Sequence, residues 1–311
     1  MKDIKVVFMG TPMFAYNVLK ELINNTNVVM VVSQPDREKD RKGNIIYSPC
    51  KKIAIENNIE VYQPLKVREE YSHILEANPD IIITCAYGQI IPKEILDYPK
   101  YGCINVHASL LPKLRGGAPI HHAIMDGYKV TGVTIMHMDT HMDSGDIISQ
   151  VKTDIDDNIT LDELYNKLSI MGTKLLIETL ASIINGTSRR IKQDEKEVTF
   201  GYNITKEEEH IDFNDNIDNV HNKIRGLSSI PGAYTILNNK RMKVYRSEKT
   251  NILSKKEPGT IIDINKEGIF VSTNDYDIKL TNIKLEGKNR CDVKDLINGL
   301  KKEDLIGAIL K

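Results

Sequence analysis

From Ile4 to Met9 the chain reads as a short apolar run rich in β-branched residues, interrupted only by Lys5, and this pattern predicts a buried strand. Gly10-Thr11-Pro12 ends the run. Phe14, Val18, Leu19, Leu22 and Ile23 then recur at the spacing of an amphipathic helix. The alternation continues with Val28 to Val32 as a strand, Lys51 to Asn58 as a helix, Ile81 to Ala86 as a strand and Cys103 to Val106 as another. Strands that alternate with helices are joined by crossovers, which predicts a parallel, doubly wound sheet. Ligands of such sheets bind beyond the carboxyl ends of the strands, so Tyr87-Gly88-Gln89 and Asn105-Val106-His107 are expected to emerge as neighbouring loops.

Thr160 and Glu163 form a capping box at the start of the clearest helix, whose stripe is Leu161, Leu164, Leu168, Met171, Leu175, Leu180 and Ile184, with Gly186 as its stop. From Thr187 to Lys206 the chain is polar and charged with little periodicity, the character of a linker. We expect an α/β domain over residues 1–189, a linker over 190–206 and a second domain over 207–311. In the latter, a helical pattern around Val220 to Leu227 precedes alternating stretches at Gly232 to Leu237, Met242 to Tyr245, Thr260 to Ile264, Ile269 to Ser272 and Ile278 to Ile283. Five short strands predict a small β-barrel.

Composition changes this picture little. With 41% apolar and 27% charged residues the chain has the profile of a soluble globular protein, and its net charge of -1 excludes nucleic-acid binding through overall charge. Cys50, Cys85, Cys103 and Cys291 are widely separated without a C-x-x-C pair, so reduced thiols are expected, not a disulfide framework or a zinc knuckle. His121, His122, His137, His141 and His210 form no recognisable ligand set, and no bound metal is expected. The first apolar run is too short for a signal-peptide core or a membrane span, which leaves a cytoplasmic location and no membrane partner as the expectation.

Gly10-Thr11-Pro12 follows a strand but lacks both common phosphate-binding patterns, so a tight turn is the better reading. Asn105 and His107 are two apart, where an extended chain puts an amide and an imidazole on one side. Met138 to Asp146 places three carboxylates and a glycine after the strand predicted over Val133 to Met138, and an acid from this loop could reach the histidine. Acyl transfer to an amine needs donors for a developing oxyanion and an acceptor for a proton, and Asn, His and Asp supply these.

The stretches MGTPMFA, QPDR from Gln34, AYGQIIP from Ala86, NVHASLLPKLRGGAPI from Asn105, GVTIMHMDTHMDSGDI from Gly132 and HNKIRGLSSIPGAYT from His221 span nearly the whole chain. Together they resemble the methionyl-tRNA formyltransferases. That resemblance implies a Rossmann-like amino-terminal domain, a carboxy-terminal barrel similar to an OB-fold, and transfer of the formyl group of 10-formyltetrahydrofolate to the amino group of methionine on initiator tRNA, without a metal and by a monomer. It implies Asn105, His107 and Asp143 as the catalytic set, with Asn105 and protonated His107 facing the oxyanion and Asp143 holding the ring charged. It also implies folate contacts from Ser109, Leu110, Leu111 and Pro112, and cleft walls from Tyr87, Gly88, Gln89 and Ile90 and from Met138 and Asp139 to Asp143. Ala108 stands where the family usually has Pro, and Ser229-Ile230 replace a Pro-Trp pair. Around Arg41, the basic position matched to tRNA contact, acids are mixed among the bases.

Residues 221–256 hold nine cations against one acid, Glu248, and such a band on a barrel suits a phosphate backbone. Lys223, Arg225, Lys240, Arg241, Lys243 and Arg246 are the candidate tRNA contacts there. Tyr234 and Tyr245 suit either base stacking or the core. Two other readings stand beside this one: a formyltransferase acting on a small amine such as glycinamide ribonucleotide or an amino sugar, and a tRNA-binding module without catalysis.

Overall fold

The computed structural model describes residues 1–37, 39, 42–296 and 302–311. Two compact units are present, the first made of Met1–Pro119, Thr131–Thr153 and Tyr165–Tyr202, the second of Ile120–Val130, Asp154–Leu164 and Asn203–Lys311.

In chain order the elements up to residue 184 are β1 (Lys5–Gly10), α1 (Met13–Asn25), β2 (Asn27–Val32), α2 (Pro49–Glu56), β3 (Glu60–Tyr62), α3 (Ser72–Glu76), β4 (Ile81–Cys85), α4 (Lys93–Leu96), β5 (Cys103–His107), α5 (Pro119–Met125), β6 (Val130–His137), β7 (Ile147–Asp154) and α6 (Leu161–Ile184). Their sheet has the order β3-β2-β1-β4-β5-β6-β7. β1 to β5 pair in parallel, the doubly wound arrangement read from the sequence. β6 departs from it by pairing antiparallel with β5, placing Met136 opposite Asn105 and Thr134 opposite His107. The sheet is therefore mixed and Rossmann-like. Val6 to Met9 and Ile81 to Ile83 are buried on both faces, which is why these strands read as continuous apolar runs.

Gly10 is required where β1 ends. A Cβ there would lie 2.8 Å from the Cys85 carbonyl and 2.9 Å from the Ala15 Cβ. Gly10-Thr11-Pro12 is the tight entry to α1. At the start of α6 Glu163 reaches back to Thr160, its Oε2 accepting from the Thr160 N–H at 2.8 Å and from its hydroxyl at 2.7 Å. Along α6, Leu161, Leu164, Leu168 and Leu180 are buried with Leu176 and Ile183, while Leu175 and Ile184 are half-buried beside them.

Beyond residue 202 come α7 (Ile217–Gly226), β8 (Ala233–Leu237), β9 (Lys240–Leu253), β10 (Ile261–Asn265), β11 (Gly268–Val271), β12 (Tyr276–Leu285), β13 (Cys291–Asp292) and α8 (Val293–Leu296). Their antiparallel sheet has the order β10-β11-β12-β9-β8, with β13 on β12. Val220, Ile224, Met242, Val244, Ile261, Ile269, Ile278 and Leu280 are among its core. Residues 307–311 bridge the two edges of this sheet. Lys311 and Ile236 of β8 exchange backbone hydrogen bonds at 2.7 and 3.1 Å, while Leu310 donates to Gly259 at 2.8 Å and Ala308 accepts from Ile261 of β10 at 2.9 Å. Among the described residues no helix is long and apolar enough to cross a membrane.

Candidate active site

The carboxyl ends of β4 and β5 lie side by side, with Thr84 in register with Asn105. The Thr84 hydroxyl has one proton and three acceptors in reach: Asn105 Oδ1 at 2.8 Å, Met138 Sδ at 3.1 Å and the Ile104 carbonyl at 3.3 Å. Asn105 is the shortest. Because the amide oxygen accepts from Thr84, the side chain is turned so that its Nδ2 donors point the other way.

Two residues on, His107 is 5% exposed. After β5 the chain folds back through residues 108–114, held by Thr134, which donates to the Ser109 carbonyl at 2.7 Å and accepts from the Leu111 N–H at 3.1 Å. Leu114 is thereby brought over the imidazole, and its carbonyl accepts from His107 Nε2 at 3.0 Å. This bond assigns the Nε2 proton, leaving Nδ1 as the nitrogen that faces Asp143. Asp143 Oδ2 is 3.7 Å from Nδ1. That separation exceeds a hydrogen bond, so Nδ1 is not locked onto the carboxylate.

The loop from Met138 to Asp146 sorts its three acids. Asp139 is spent on its own loop, accepting from the His141 N–H at 2.9 Å and the Ser144 hydroxyl at 2.7 Å. Asp146 pairs with Arg190 at 3.0 Å. Asp143 alone of the three turns to the histidine, and its Oδ2 also accepts from the Gly116 N–H at 2.9 Å. It has a φ of 48°, the left-handed region. Gly145 lets this loop pass close to β6, since a Cβ there would lie 2.0 Å from the His137 carbonyl.

The other predicted contacts fall in different places. Tyr87, Gly88, Gln89 and Ile90 line a cavity of about 970 Å³ together with Thr11, Pro12, Gln34 and four cations, Arg37, Lys52, Lys66 and Arg68. Ile90 is exposed, a large apolar side chain at the cavity wall. Ser109 is fully buried and its hydroxyl donates to the Lys113 carbonyl at 2.6 Å, so that group is committed within the loop. Leu111 is buried, while Leu110 and Pro112 are half-buried beside it. Met138 touches Thr84, next to Asn105. Among the described residues, no group of three or more His, Cys, Asp or Glu side chains converges as metal ligands do.

The second unit carries the candidate tRNA face. Arg241 and Lys243 point outward from β9, whose Met242 and Val244 point in. Lys243 is half-buried and its ammonium donates to the Pro231 carbonyl, while opposite it on β12 stands exposed Lys284. The Arg241 guanidinium lies 4.0 Å over the Tyr234 ring, and Arg290 lies 4.1 Å over Tyr245. Lys284 and Arg290 lie outside the basic stretch in sequence; Lys284 joins it through strand pairing and Arg290 through its contact with the Tyr245 ring. Lys240 is exposed, Lys223 is half-buried and donates to the Glu208 carbonyl, and Arg246 faces Glu163 at 3.5 Å.

Arg225 must be withdrawn from that set. It is 3% exposed, and its guanidinium donates to the carbonyls of Asp156 and Ile159 at 3.0 Å and to Asn222 Oδ1 at 2.9 Å. It lies four residues after buried His221 on the inward side of α7, where a cation is held by carbonyls and not offered to solvent. Arg41 lies outside the described residues.

The formyl transferase family model matches residues 4–180, and the model of the formyl transferase C-terminal domain matches residues 203–301. The methionyl-tRNA formyltransferase of Malacoplasma penetrans is 46% identical over 311 residues, covering 100% of this chain and 98% of the relative. That of Bacillus mycoides is 49% identical over 303 residues, covering 96% of each. Among solved structures, a variant of HypX from Aquifex aeolicus superposes with a TM-score of 0.67 at 17% identity, over 98% of this chain and 50% of that one. The N-formyltransferase of Helicobacter canadensis superposes with a TM-score of 0.66 at 22% identity, over 89% and 98%. These two establish the fold, and the full-length relatives establish the lineage: the chain belongs to the formyl transferase family, among the methionyl-tRNA formyltransferases.

Proposed function

We propose that this enzyme transfers a formyl group from 10-formyltetrahydrofolate to the amino group of methionine on initiator tRNA, with Asn105, His107 and Asp143 as the catalytic residues. The observation that carries the reading is the approach of His107 and Asp143 to 3.7 Å at the end of the strand that also presents Asn105. The folate supplies the formyl carbon and leaves through N10. As the amine nitrogen bonds to that carbon, negative charge develops on the formyl oxygen; the charge returns to the carbonyl as the carbon–N10 bond breaks, the amine losing a proton and N10 gaining one.

The donor set fits that chemistry. Asn105, oriented by Thr84, offers Nδ2–H to the developing charge. His107, its Nε2–H already given to Leu114, offers Nδ1–H when protonated, with Asp143 as the counter-charge. One such donor contributes about 2.7 to 4 kcal/mol, or a hundredfold to thousandfold in rate. Tyr87 to Ile90 form the wall against which the folate would rest, and Leu110 to Pro112 and Met138 border the catalytic trio. Arg241, Lys243 and Arg246, with Lys240 and Lys223 at their margins, would meet the tRNA backbone, and Arg41 would add a contact from its own loop.

Acceptor choice is the decisive test. Formyl transfer measured with Met-tRNA, glycinamide ribonucleotide and an amino sugar should proceed efficiently only with Met-tRNA, in keeping with identities of 46% and 49% to methionyl-tRNA formyltransferases. Exclusive use of a small amine would overturn the proposal. Charged initiator and elongator tRNA compared in the same assay would test the initiator preference.

A further inference from the structure

The stretch between α6 and residue 202 has no hydrophobic period, yet it reaches every part of the catalytic trio except Asn105. Ile191 and Ile147 exchange backbone hydrogen bonds at 2.8 and 2.9 Å, which lays the segment along the start of β7. Thr199 accepts from the Leu114 N–H through its hydroxyl at 2.9 Å and from the Arg115 N–H through its carbonyl at 2.9 Å. Leu114 is the residue whose carbonyl holds His107.

Gln193 does the corresponding work for Asp143. Its Nε2 donates to the backbone carbonyls of Asp143 and Gly145, each at 2.8 Å, spanning the point where Asp143 adopts its left-handed conformation. An amide can present its oxygen or its nitrogen. Here the choice is fixed by Arg115, whose Nε donates to Gln193 Oε1 at 3.0 Å, so that both amide protons face the loop. Arg115 is 5% exposed and its charge is met by Glu195 at 2.8 Å. Gly116, the next residue, supplies the N–H that holds Asp143 Oδ2. Arg115 therefore links the two holds on Asp143, one on its backbone and one on its carboxylate.

We propose that Gln193, oriented by Arg115, is a positioning residue of the transfer reaction, which sets the Asp143 carboxylate against His107 by pinning the loop that carries it. The proposal rests on the reading of Asp143 as a catalytic residue. Without the two amide donors, the Asp143 and Gly145 carbonyls lose their partners and the loop can relax from the geometry that keeps Oδ2 3.7 Å from Nδ1. Displacement of a reacting group by about 1 Å costs roughly a hundredfold in rate. Gln193 and Arg115 line no part of the cavity walled by Tyr87 to Ile90, so the loss should fall mainly on kcat.

The test is a double-mutant cycle on the full chain with Met-tRNA and 10-formyltetrahydrofolate, using Gln193→Leu, Gln193→Glu, Asp143→Asn and the doubles, with thermal melting of each variant. Gln193→Glu keeps the shape and the bond to Arg115 while setting an oxygen against the two carbonyls. Both Gln193 variants should lower kcat about ten- to a hundredfold with both KM values within about twofold. Added to Asp143→Asn, either should cost nothing further. Full multiplicative loss in the doubles, or wild-type kcat in a folded Gln193→Glu, would overturn the positioning role while leaving the catalytic reading intact. Wild-type turnover in Asp143→Asn would sink the catalytic reading and the proposal with it.

Discussion

Replacing Thr84 by Val separates the orientation of Asn105 from its presence. Val keeps the volume and branching of Thr and removes the hydroxyl that donates to Asn105 Oδ1 at 2.8 Å. A net hydrogen bond of about 1 kcal/mol favours one amide orientation by roughly five to one. Losing it equalises the two orientations, so the correctly turned fraction falls by less than about twofold. The orphaned amide oxygen, beside a strand that is otherwise buried, should cost about 1 to 3 kcal/mol of stability. Asn105→Ala, by contrast, removes the donor itself and should lower kcat about a hundred- to a thousandfold. Single-turnover formylation and urea titration of both variants give the two numbers for each. The reasoning predicts that Thr84→Val is the more damaging to stability relative to its effect on rate, and Asn105→Ala the reverse. A Thr84→Val rate loss as large as that of Asn105→Ala would refute it, because orientation alone cannot account for so much.

Leu310, the penultimate residue, is 3% exposed in the core of the second unit, so Leu310→Ala should cost about 2 to 5 kcal/mol and impair use of Met-tRNA more than folate binding; a loss below about 1 kcal/mol would mean the edge-bridging segment is dispensable. Burial, helped by Arg190, pulls the His137 ring from its ordinary 6.5 down to about 4. Because the folded value lies below the unfolded one, the neutral ring's contribution is complete above about pH 6.5 and is lost as pH falls from there towards 4. His137→Asn should flatten that part of the stability–pH curve, and an unchanged slope would assign the acid sensitivity elsewhere. Among the described residues the Tyr87 hydroxyl is the buried side-chain polar atom that lacks a hydrogen-bond partner, so Tyr87→Phe should leave stability unchanged or raise it by about 1 kcal/mol in chemical denaturation.

Local pattern made much of the first unit legible. β1, β2, β4 and β5 announce themselves because strands buried on both faces are continuous apolar runs, and α1 and α6 because a stripe of Leu, Ile and Val recurs with the helical period. Pairing direction is a different kind of information. Nothing in the alternation of Val130 to His137 tells a parallel from an antiparallel neighbour, since that is set by how the chain returns to the sheet. Asn105 and His107 could be placed on one side of a strand by spacing, but Asp143 could be matched to them only through resemblance, because three acids share its loop and spacing does not choose among them. The contribution of residues 191–201 was invisible for a physical reason: it works through main-chain groups and two polar side chains, Gln193 and Thr199, which leave no periodic trace. Arg225 is the instructive error. Counted by charge it joins the basic band, whereas counted by helical position it shares the inward stripe of Val220, His221 and Ile224, and position decides.

Under the proposed function an amide, an imidazole and a carboxylate from separate stretches of chain act on one formyl carbon, and this joint action drives the transfer. Its most direct test is single-turnover formylation of Met-tRNA by His107→Ala, with folate affinity measured on the same preparation. The rate should fall about 100- to 10,000-fold with folate binding changed no more than a few-fold. A rate within about threefold of the parent enzyme would contradict it.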